Sequence, residues 1–442
     1  MALKIFSTSH KKNYVCIVRS VVSALHIPGH LSKAAVSILT PDLSSIDNLI
    51  TNDLVQLQKN LSARNSSFHL DSFIQQWNHM RELRLKREQL EIKRMEVTQM
   101  MKQVVSSTAD STLPIKIEEV KQEGIRLRTQ LKDLTRIWWE VEETAVTRAL
   151  SLPNSLHSET PIDDSIELYS FILPESNSCR GDSAEQDIKF VGHSPTAFYL
   201  RGLCARLELH WIKTFTRDWI NKGYNLISPP DFVRSIVVDG CGLDFNNSQE
   251  VLSLATIPEH GSLEKGNGFH LVGGSSLPAM VAFLTKNTIQ EPFPLRLISA
   301  GRTYHPPTDS PTNNEDLTNT MQASSIHLLT VMKNCPDAMF QELVCIQETI
   351  SRQLQKLNIK FRIIAVAARH LEPWEQYRSS IELYSSSSKN FIQVAYVSII
   401  GDYISRRLSI YGPQKESPGF VTAQALSVPK LLSCYLKNQS HQ

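Results

Sequence analysis

The stretch from residue 390 to 411, NFIQVAYVSIIGDYISRRLSIY, constrains the fold of this chain more than any other. Between residues 391 and 400 the odd and the even positions are both largely apolar, so a strand formed there has two apolar faces. Such a strand is covered on both sides and is expected in the middle of a sheet, within a sizeable domain. The apolar run then breaks, and Asp402 can cap a short helical turn that carries Arg406 and Arg407.

Three polar side chains interrupt this strand, Gln393, Tyr396 and Ser398, and none of them is charged at neutral pH. A strand that handles metal ions or phosphates needs carboxylates or cations among its polar residues. The absence of carboxylates and cations argues, more than any motif present, against a catalytic centre on this strand.

The composition limits the classes of protein to which the chain can belong. Its 442 residues and 41% hydrophobic content suffice for two or three domains with a substantial core. A formal net charge of +2 gives no strong field over the whole molecule, so nucleic-acid binding would need a local basic patch. The seven cysteines are scattered and form no CxxC pair, which predicts neither a disulfide framework nor a metal site. No apolar stretch is long enough to cross a membrane, so we predict no membrane association.

Residues 1–41 have the composition of a mitochondrial transit peptide. They contain no Asp or Glu, carry five Lys or Arg side chains, and are rich in serine, with apolar residues between the charges. The alternative is an ordinary basic N-terminal tail. The transit-peptide interpretation predicts a protein of the mitochondrial matrix.

Residues 42–165 are predicted to form a helical arm. Apolar residues recur every seven positions along a first helix, at Leu83, Leu90, Val97 and Val104. A second run, from Leu127 to Ala145, spaces its apolar residues alternately by four and by three. A polar break at residues 106–114 separates the two runs, so together they predict an antiparallel coiled-coil hairpin. A helix of this length projects on the order of 50 Å.

The first arm helix is locally basic. Its Lys and Arg side chains lie at Arg81, Arg84, Lys86, Arg87, Lys93 and Arg94. One interpretation is a solvated helix face with ion pairs four residues apart. The other is a surface that binds RNA phosphates, since a long projecting hairpin usually reaches a partner. The sequence leaves both open.

A linker occupies residues 151–190, with a possible short strand at residues 166–173. An amphipathic helix is predicted from residue 196 to 222, and Gly223 ends it. Residues 224–230 then read as a strand stopped by prolines. This order of helix, strand and proline resembles motif 1 of class II aminoacyl-tRNA synthetases, which builds a dimer interface. The resemblance implies an interface that contains Trp211, Tyr224, Pro229 and Pro230.

The chain resembles the seryl-tRNA synthetases over nearly its whole length beyond the leader. The matching segments are LSLPNSLHSETPID at 150–163, KGYNLISPPDFV at 222–233, PLRLISAGRTYHP at 294–306, SIELY at 380–384, IGDYISRRL at 400–408 and LSVPKLLSCYLKNQ at 426–439. The resemblance implies an α+β fold, in which residues 166–442 form a class II synthetase-like core. That core would have an antiparallel sheet of six or seven strands with flanking helices. In the family, the N-terminal arm grips serine tRNA.

The nucleotide-binding positions of the family are largely altered. Arg302 keeps the motif 2 arginine, but Tyr304 stands where the family has a glutamate. Asn319 replaces an arginine, and Ala323 replaces the phenylalanine that stacks on adenine. The motif 3 arginine becomes Lys430, which cannot form a bidentate phosphate contact.

The cation-binding and serine-binding positions are altered as well. The family's magnesium-holding glutamate and serine correspond to Gln393 and Tyr396. The threonine and glutamate that read serine correspond to Gly274 and Ser276. A glycine-rich approach to motif 3 becomes TAQA at residues 422–425, where side chains crowd a backbone that should approach the ligand. We therefore predict no catalytic residues, no cofactor and no metal. Arg302, Arg406 and Arg407 are interpreted as structural arginines.

The resemblance is specific to seryl-tRNA synthetase-like proteins of insect mitochondria and implies a non-catalytic paralogue. It implies a dimer with the mitochondrial seryl-tRNA synthetase or with itself, binding of mitochondrial RNA, and association with Lon protease in the control of mitochondrial DNA and translation. Two alternatives stay open. One is an ATP-dependent ligase or aminoacyl transferase with an altered substrate, and the other is a stand-alone homodimeric RNA-binding protein.

Overall fold

A computed structural model describes residues 23–25, 39, 41–106, 113–172, 184–191, 197–254, 268–306, 317–386 and 388–440. The N-terminal region consists of four helices: α1 (Ser44–Thr51), α2 (Leu54–Ala63), α3 (Leu70–Ser106) and α4 (Leu113–Leu150). The last two form the predicted hairpin. With 37 and 38 residues, each helix extends over about 55 Å. The predicted break between them lies largely outside the described residues.

The hairpin is packed most tightly at its base. Phe73, Trp77 and Ala145 are buried there, and the Trp77 indole N–H donates a 2.8 Å hydrogen bond to Asp47 of α1. Farther along, the seam residues Leu83 and Leu127 are also buried. Towards the tip, apolar side chains become exposed, at Ile92, Met95, Met100 and Ile125. Burial at the base therefore fixes the direction in which the arm projects.

The arm is joined to the core by a buried hydrogen-bond network. The Asn154 side-chain amide donates to the carbonyl oxygens of Ile400 at 2.6 Å and Trp374 at 2.9 Å. Arg64 of α2 donates to the carbonyl oxygens of Asn154 at 3.2 Å and Glu375 at 2.5 Å. Burial lowers the pKa of Arg64 to about 10, so this arginine keeps its charge at neutral pH. The family-like proline-asparagine linker thus fixes the base of the arm against the central strand.

The core contains thirteen strands within the described residues. They are β1 (Ile166–Phe171), β2 (Ile188–Val191), β3 (Ala197–Leu200), β4 (Asn225–Leu226), β5 (Phe232–Arg234), β6 (Leu252–Ser253), β7 (Phe269–Leu271), β8 (Leu295–Tyr304), β9 (Gln322–Met332), β10 (Phe361–Ala365), β11 (Tyr377–Ser385), β12 (Asn390–Gly401) and β13 (Gly419–Ser427). The core helices are α5 (Gly202–Ile220), α6 (Ser235–Gly240), α7 (Leu277–Ala282), α8 (Pro336–Gln355), α9 (Tyr403–Leu408) and α10 (Val428–Ser440). Short 3₁₀ turns lie at Ala184–Asp187 and Ala368–His370.

Eight strands form one mixed sheet in the order β1-β10-β11-β12-β13-β9-β8-β4. As predicted, β12 lies in the interior of the sheet, between β11 and β13. The predicted sheet had six or seven antiparallel strands. The observed sheet has an eighth strand, because the two-residue strand β4 pairs with β8 in a parallel orientation. The predicted strand at residues 166–173 is present as β1, at the edge of the sheet.

Apolar cores cover both faces of this sheet. One core combines sheet residues with α5, α8 and α10, and its buried members include Trp219, Met339 and Leu431. The other combines the base of the arm with α6, α7 and α9, and it includes Val238 and Met280. The two apolar faces of β12 are explained by its position between these cores.

Two sequence-based boundaries were wrong. The helix predicted from residue 196 begins only at Gly202, because Ala197–Leu200 pairs with Ile188–Val191 in a separate two-stranded sheet. The strand predicted over residues 224–230 is reduced to β4. Gly223 does follow the end of α5, with a φ of 88° that favours glycine. Among the described helices, none combines the length and the apolar composition needed to cross a membrane.

Candidate functional site

A cavity of about 200 Å³ lies between the residues that follow β8, the start of β9, the end of β13 and the start of α10. Its lining residues are His305, Pro306, Leu317, Thr318, Asn319, Thr320, Met321, Ala323, Gln424, Ser427 and Lys430. The fold thus brings together three of the sequence-predicted positions, Asn319, Ala323 and Lys430. No carboxylate lines the cavity, so its described lining offers no negatively charged ligand for a divalent cation.

Lys430 is the cation of this cavity. It lies in the first turn of α10, where the positive end of the helix dipole disfavours another positive charge. Burial lowers the pKa of the Lys430 ammonium, and the neighbouring Cys434 partly opposes that shift. A lysine in this place is a weaker phosphate ligand than the arginine of the family, because it presents a single charged nitrogen.

Arg302, the arginine that the resemblance assigns to motif 2, forms an ion pair within the protein. Its guanidinium lies 3.2 Å from the Glu208 carboxylate of α5 and donates to the Ser324 hydroxyl of β9 at 2.5 Å. Ser324 in turn donates to Glu208, so the three side chains form a closed network. The arginine is 43% exposed, yet its charge is already paired. The internal pairing of Arg302 could have been identified from Glu208, an acidic residue on the inner side of α5, which corresponds to the helix predicted from residue 196 to 222.

The segment at the serine-reading positions is packed directly against β8. The Gly274 N–H donates a 2.7 Å hydrogen bond to Asp231, and a Cβ at this residue would lie 2.6 Å from the carbonyl oxygen of Pro229. Ser276 caps α7, with its hydroxyl 2.7 Å from the Gly273 carbonyl oxygen and 3.4 Å from the Ala279 N–H. Gly274 thus lies in close backbone packing and Ser276 caps a helix, and neither side chain carries a charge.

On β12, the two positions that the sequence resemblance assigns to magnesium binding, Gln393 and Tyr396, have neutral side chains. The Gln393 carbonyl oxygen accepts a 3.2 Å hydrogen bond from Ser380. Burial raises the pKa of Tyr396 to about 12, so its phenol is neutral at physiological pH. The Tyr396 ring lies 5.1 Å from the Arg378 guanidinium and meets the His327 ring edge-on at 6.5 Å. Within the described part of the chain, no group of three His, Cys, Asp or Glu side chains could hold a metal ion.

His327 extends this neutral cluster to β9. Its Nε2 lies 2.8 Å from the hydroxyl of Thr422 on β13. Burial lowers the pKa of His327 to about 4, so the ring is uncharged at neutral pH. At this point of the sheet, the neutral His327 and Tyr396 side chains lie beside Arg378, which forms a 2.8 Å ion pair with the buried Glu375.

The two arginines after β12 make structural contacts. Arg406 forms a 3.0 Å ion pair with Asp402 and also donates to Ser45 of α1. Arg407 donates to the carbonyl oxygens of Asp239, at 3.3 Å, and of Leu150. Asp402 makes no capping hydrogen bond, which corrects the role predicted for it. Both arginines connect α9 to its neighbours.

Two of the four residues assigned to a dimer interface are buried within one chain, which corrects the sequence-based assignment. Tyr224 is 4% exposed and its hydroxyl lies 3.1 Å from Thr330, while Trp211 is 3% exposed and packs edge-on against Tyr435. Trp211 lies on the inner stripe of α5, which faces the sheet, and Tyr224 follows that helix and packs edge-on against Trp219. Pro229 is half-buried, and Pro230 is exposed.

An exposed apolar surface lies next to these prolines and was not recognised from the sequence. The three-stranded sheet β5-β7-β6 presents Phe232, Leu254 and Phe269 on one face, which we call the ribbon face. These side chains are 47%, 45% and 42% exposed, whereas Val233 and His270 on the opposite face are buried. The signal was the alternation in FVR and FHL, which is too short for a confident strand assignment.

The basic residues of the arm fall into two groups. Arg81 lies 3.5 Å from Asp47, Arg84 lies 3.2 Å from Glu88, and the Arg87 guanidinium stacks over Trp138 of α4 at 4.1 Å. These three make contacts within the protein. Lys86, Lys93 and Arg94 are exposed, and no ion pair joins them to another described residue. Lys86 and Lys93 are seven residues apart and share a helix face.

Comparisons with known proteins agree with this geometry. No protein-family model matches the chain. It is 24% identical to the serine–tRNA synthetase-like protein Slimp of Drosophila melanogaster, over 88% of this chain and 82% of that protein. It is 23% identical to the mitochondrial serine–tRNA ligase of Bos taurus, over 84% of this chain and 74% of that protein.

Solved structures give the same result for the fold. The seryl-tRNA synthetase of Pyrococcus horikoshii complexed with ATP aligns with a TM-score of 0.74 at 15% identity, covering 89% of this chain and 93% of that one. The cytoplasmic serine–tRNA ligase of Naegleria fowleri in complex with AMP aligns with a TM-score of 0.72 at 12% identity, covering 88% and 93%. The predicted resemblance to seryl-tRNA synthetases and the class II synthetase-like α+β fold are confirmed.

Proposed function

We propose, from this similarity to seryl-tRNA synthetases, that the chain is a non-catalytic paralogue that dimerises and binds RNA in mitochondria. One observation carries the proposal. At the positions where the resemblance places nucleotide, cation and serine contacts, the side chains are neutral, with two exceptions. The charge of Arg302 is paired with Glu208, and burial disfavours the charged form of Lys430.

The electrostatics of the site support the loss of amino-acid activation. Forming an aminoacyl adenylate requires cations on the phosphates, oxygen ligands for magnesium and a carboxylate facing the substrate ammonium. Arg302 is paired with Glu208, and Gln393 and Tyr396 provide no negative charge. Removing one preorganised electrostatic contact costs about 10²–10³ in rate. The losses are not additive, but several together leave no useful activation.

The ribbon face supports dimerisation. Phe232, Leu254 and Phe269 expose a continuous apolar surface beside Pro230, at the place where class II synthetases pair. Exposed apolar patches of this kind mark interaction sites. The partner in this proposal is the mitochondrial seryl-tRNA synthetase or a second copy of the chain.

The arm supports RNA binding. Lys86, Lys93 and Arg94 lie far along a projecting helix, and they are the basic side chains of this stretch that are not engaged in the contacts described above. Their contribution would be electrostatic and independent of sequence, because lysine and arginine contacts to phosphates act through counterion release.

The cellular setting is part of the proposal. The acid-free leader and the similarity to a mitochondrial serine–tRNA ligase support a mitochondrial location. Four further points are proposed because the sequence resemblance implies them. They are localisation in the matrix, association with Lon protease, a role in mitochondrial translation and a role in the maintenance of mitochondrial DNA.

The test of the proposal is calorimetric titration of the purified chain with ATP and magnesium, with and without serine. The mitochondrial seryl-tRNA synthetase serves as the positive control. We expect no heat of binding at micromolar to low millimolar ATP. Micromolar binding would contradict the proposal and favour the alternative of an ATP-dependent enzyme, for which the 200 Å³ cavity around Lys430 would be the site.

A further inference from the structure

Part of the predicted leader lies inside the folded core. The hydroxyl of Ser23 and the N–H of Ala24 each donate a 2.6 Å hydrogen bond to the same carboxylate oxygen of Asp239, on α6. The Leu25 N–H lies 3.2 Å from that oxygen. We call Ser23–Leu25 the N-terminal anchor. Three donors on one carboxylate oxygen form a specific binding arrangement, because a carboxylate has a limited set of acceptor directions.

The apolar side chains of the anchor are also buried. Leu25 is 1% exposed and Ala24 is 4% exposed. Leu25 belongs to the same apolar core as Val238 and Leu408, and so does Leu39, which is 5% exposed. Three residues after Leu39, the Asp42 N–H donates a 2.9 Å hydrogen bond to the carbonyl oxygen of Arg406. The chain therefore contacts the core at both ends of this region.

Asp239 needs the anchor. Burial raises the pKa of its carboxyl group, whereas the bonds from the anchor and the charge of Arg407 favour its ionised form. The other titratable groups around it are Cys241 and Tyr403, which supply no positive charge. A buried carboxylate that loses its hydrogen-bond donors is strongly disfavoured, so removing the anchor would expose this site or leave it poorly compensated.

We infer that the N-terminal anchor is a structural part of the mature protein, and that mitochondrial processing cuts the chain before Ser23 and not at residue 41. The reaction is hydrolysis of one peptide bond by a processing peptidase. Water is added, the released leader ends in a carboxylate, and the mature chain begins with a new amino group upstream of the anchor. This inference rests on the mitochondrial location in the proposed function and revises the predicted boundary.

The first experiment imports the full-length chain into isolated mitochondria and determines the N-terminus of the product by mass spectrometry. We expect a mature chain that begins at Ser23 or earlier. A mature chain that begins at residue 26 or later would overturn the inference. An imported chain that is not cut would keep the anchor, in agreement with its structural role, but it would contradict the proposed cleavage before Ser23.

The second experiment does not depend on import. In the full-length chain, Leu25→Ala should lower the melting temperature by about 3 °C or more, because a nearly fully buried leucine leaves a cavity. The matched control is Val55→Ala on α2, where the side chain is 65% exposed, and it should change the melting temperature by less than about 1 °C. Ser23→Ala should give a smaller fall than Leu25→Ala.

Equal melting temperatures for Leu25→Ala and Val55→Ala would overturn the anchor, whatever the import experiment gives. Failure of import together with a destabilised Leu25→Ala variant would contradict the mitochondrial location alone. The two experiments therefore separate a wrong location from a wrong anchor.

Discussion

At the residue scale, Gly274 lies where two backbone segments pack closely against each other. A Cβ at this position would lie 2.6 Å from the Pro229 carbonyl oxygen, and backbone atoms cannot move away as a flexible side chain can. Restoring the threonine of the family would therefore require the surrounding backbone to shift. The close packing of these two backbone segments thus favours glycine at position 274.

The first prediction concerns this glycine. Gly274→Ala should destabilise the protein by about 1–3 kcal/mol, because the added methyl group has no space. The matched control is Gly124→Ala in α4, where a Cβ would lie 3.9 Å from Val97. That change should stabilise the arm by about 0.5–1 kcal/mol, because alanine favours a helix over glycine. Urea denaturation of the three proteins measures both effects, and equal stabilities of the two variants would contradict the packing described here.

The second prediction concerns His327 and pH. Its pKa is lowered to about 4 in the folded protein, whereas an unfolded histidine has a pKa of about 6.5. Between these values the unfolded chain binds a proton that the folded chain does not, so stability falls as the pH drops from about 6.5 to 4. This site should contribute a loss of up to about 3 kcal/mol over that window.

The measurement is the free energy of unfolding of the wild type and His327→Gln at several pH values from 4.5 to 7.5. Glutamine can still form a hydrogen bond with Thr422 but does not titrate. The difference between the two proteins should change with pH in the stated direction. Parallel curves would mean that His327 does not titrate as its burial implies.

The residue scale is also where sequence reasoning was least complete. Sequence comparison identified Arg302 as preserved, but its partner Glu208 lies 94 residues earlier in the chain. A role that depends on a distant partner is not encoded in local pattern. For Trp211 and Tyr224, a motif resemblance suggested an interface, whereas the helix face that carries Trp211 points into the core.

At the scale of elements, the arm is the part that local sequence predicts best. Its heptad repeats led directly to α3 and α4, because coiled-coil packing depends on residues three and four apart. The short strands β3 and β4 were missed or overextended for the opposite reason. Their existence depends on pairing with strands that the sequence does not identify, and two to four residues carry little periodic signal.

The third prediction separates the two groups of basic residues on the arm. Replacing Lys86, Lys93 and Arg94 together by Glu should lower RNA affinity at 100 mM salt by about tenfold or more and reduce the salt slope by about 2. The matched control replaces three exposed lysines outside the arm, Lys213, Lys222 and Lys333, by Glu. It changes the net charge by the same amount and should leave the salt slope nearly unchanged.

Arg87→Ala is a second control within the arm. It removes the stacking on Trp138, worth about 0.5–1 kcal/mol of arm stability, without removing a free phosphate contact. Filter binding over a salt series measures affinity for all variants. Equal losses for the arm triple and the control triple would contradict an RNA-binding arm.

At the scale of the whole molecule, the order and spacing of family-like segments predicted the architecture well. The helical hairpin and the sheet with flanking helices agree with the class II synthetase-like fold that this order implied. The domain boundaries at residues 42–165 and 166–442 stay predictions. The parallel strand β4 and the ribbon face could not be predicted in this way. Both are assembled from short segments that are far apart in the chain, and their exposure is decided by the packing of the complete fold.

The fourth prediction concerns assembly. Phe232→Ser with Phe269→Ser should convert a dimer into monomers, because it removes two of the exposed aromatic side chains of the ribbon face. The matched control is Tyr199→Ser with Ile172→Ser, two apolar residues that are 68% and 69% exposed elsewhere. Light scattering after size exclusion gives the mass, alone and with the mitochondrial seryl-tRNA synthetase. Unchanged dimers in the ribbon-face variant would contradict this interface.

The central claim, that this fold has lost amino-acid activation, is tested most directly by serine-dependent exchange of pyrophosphate into ATP. The purified chain is assayed at high concentration beside the mitochondrial seryl-tRNA synthetase. We predict no exchange above background for this chain, because the phosphate, magnesium and serine contacts are replaced or internally paired. Exchange that increases with the concentration of the chain and is lost in Arg302→Ala would contradict the account.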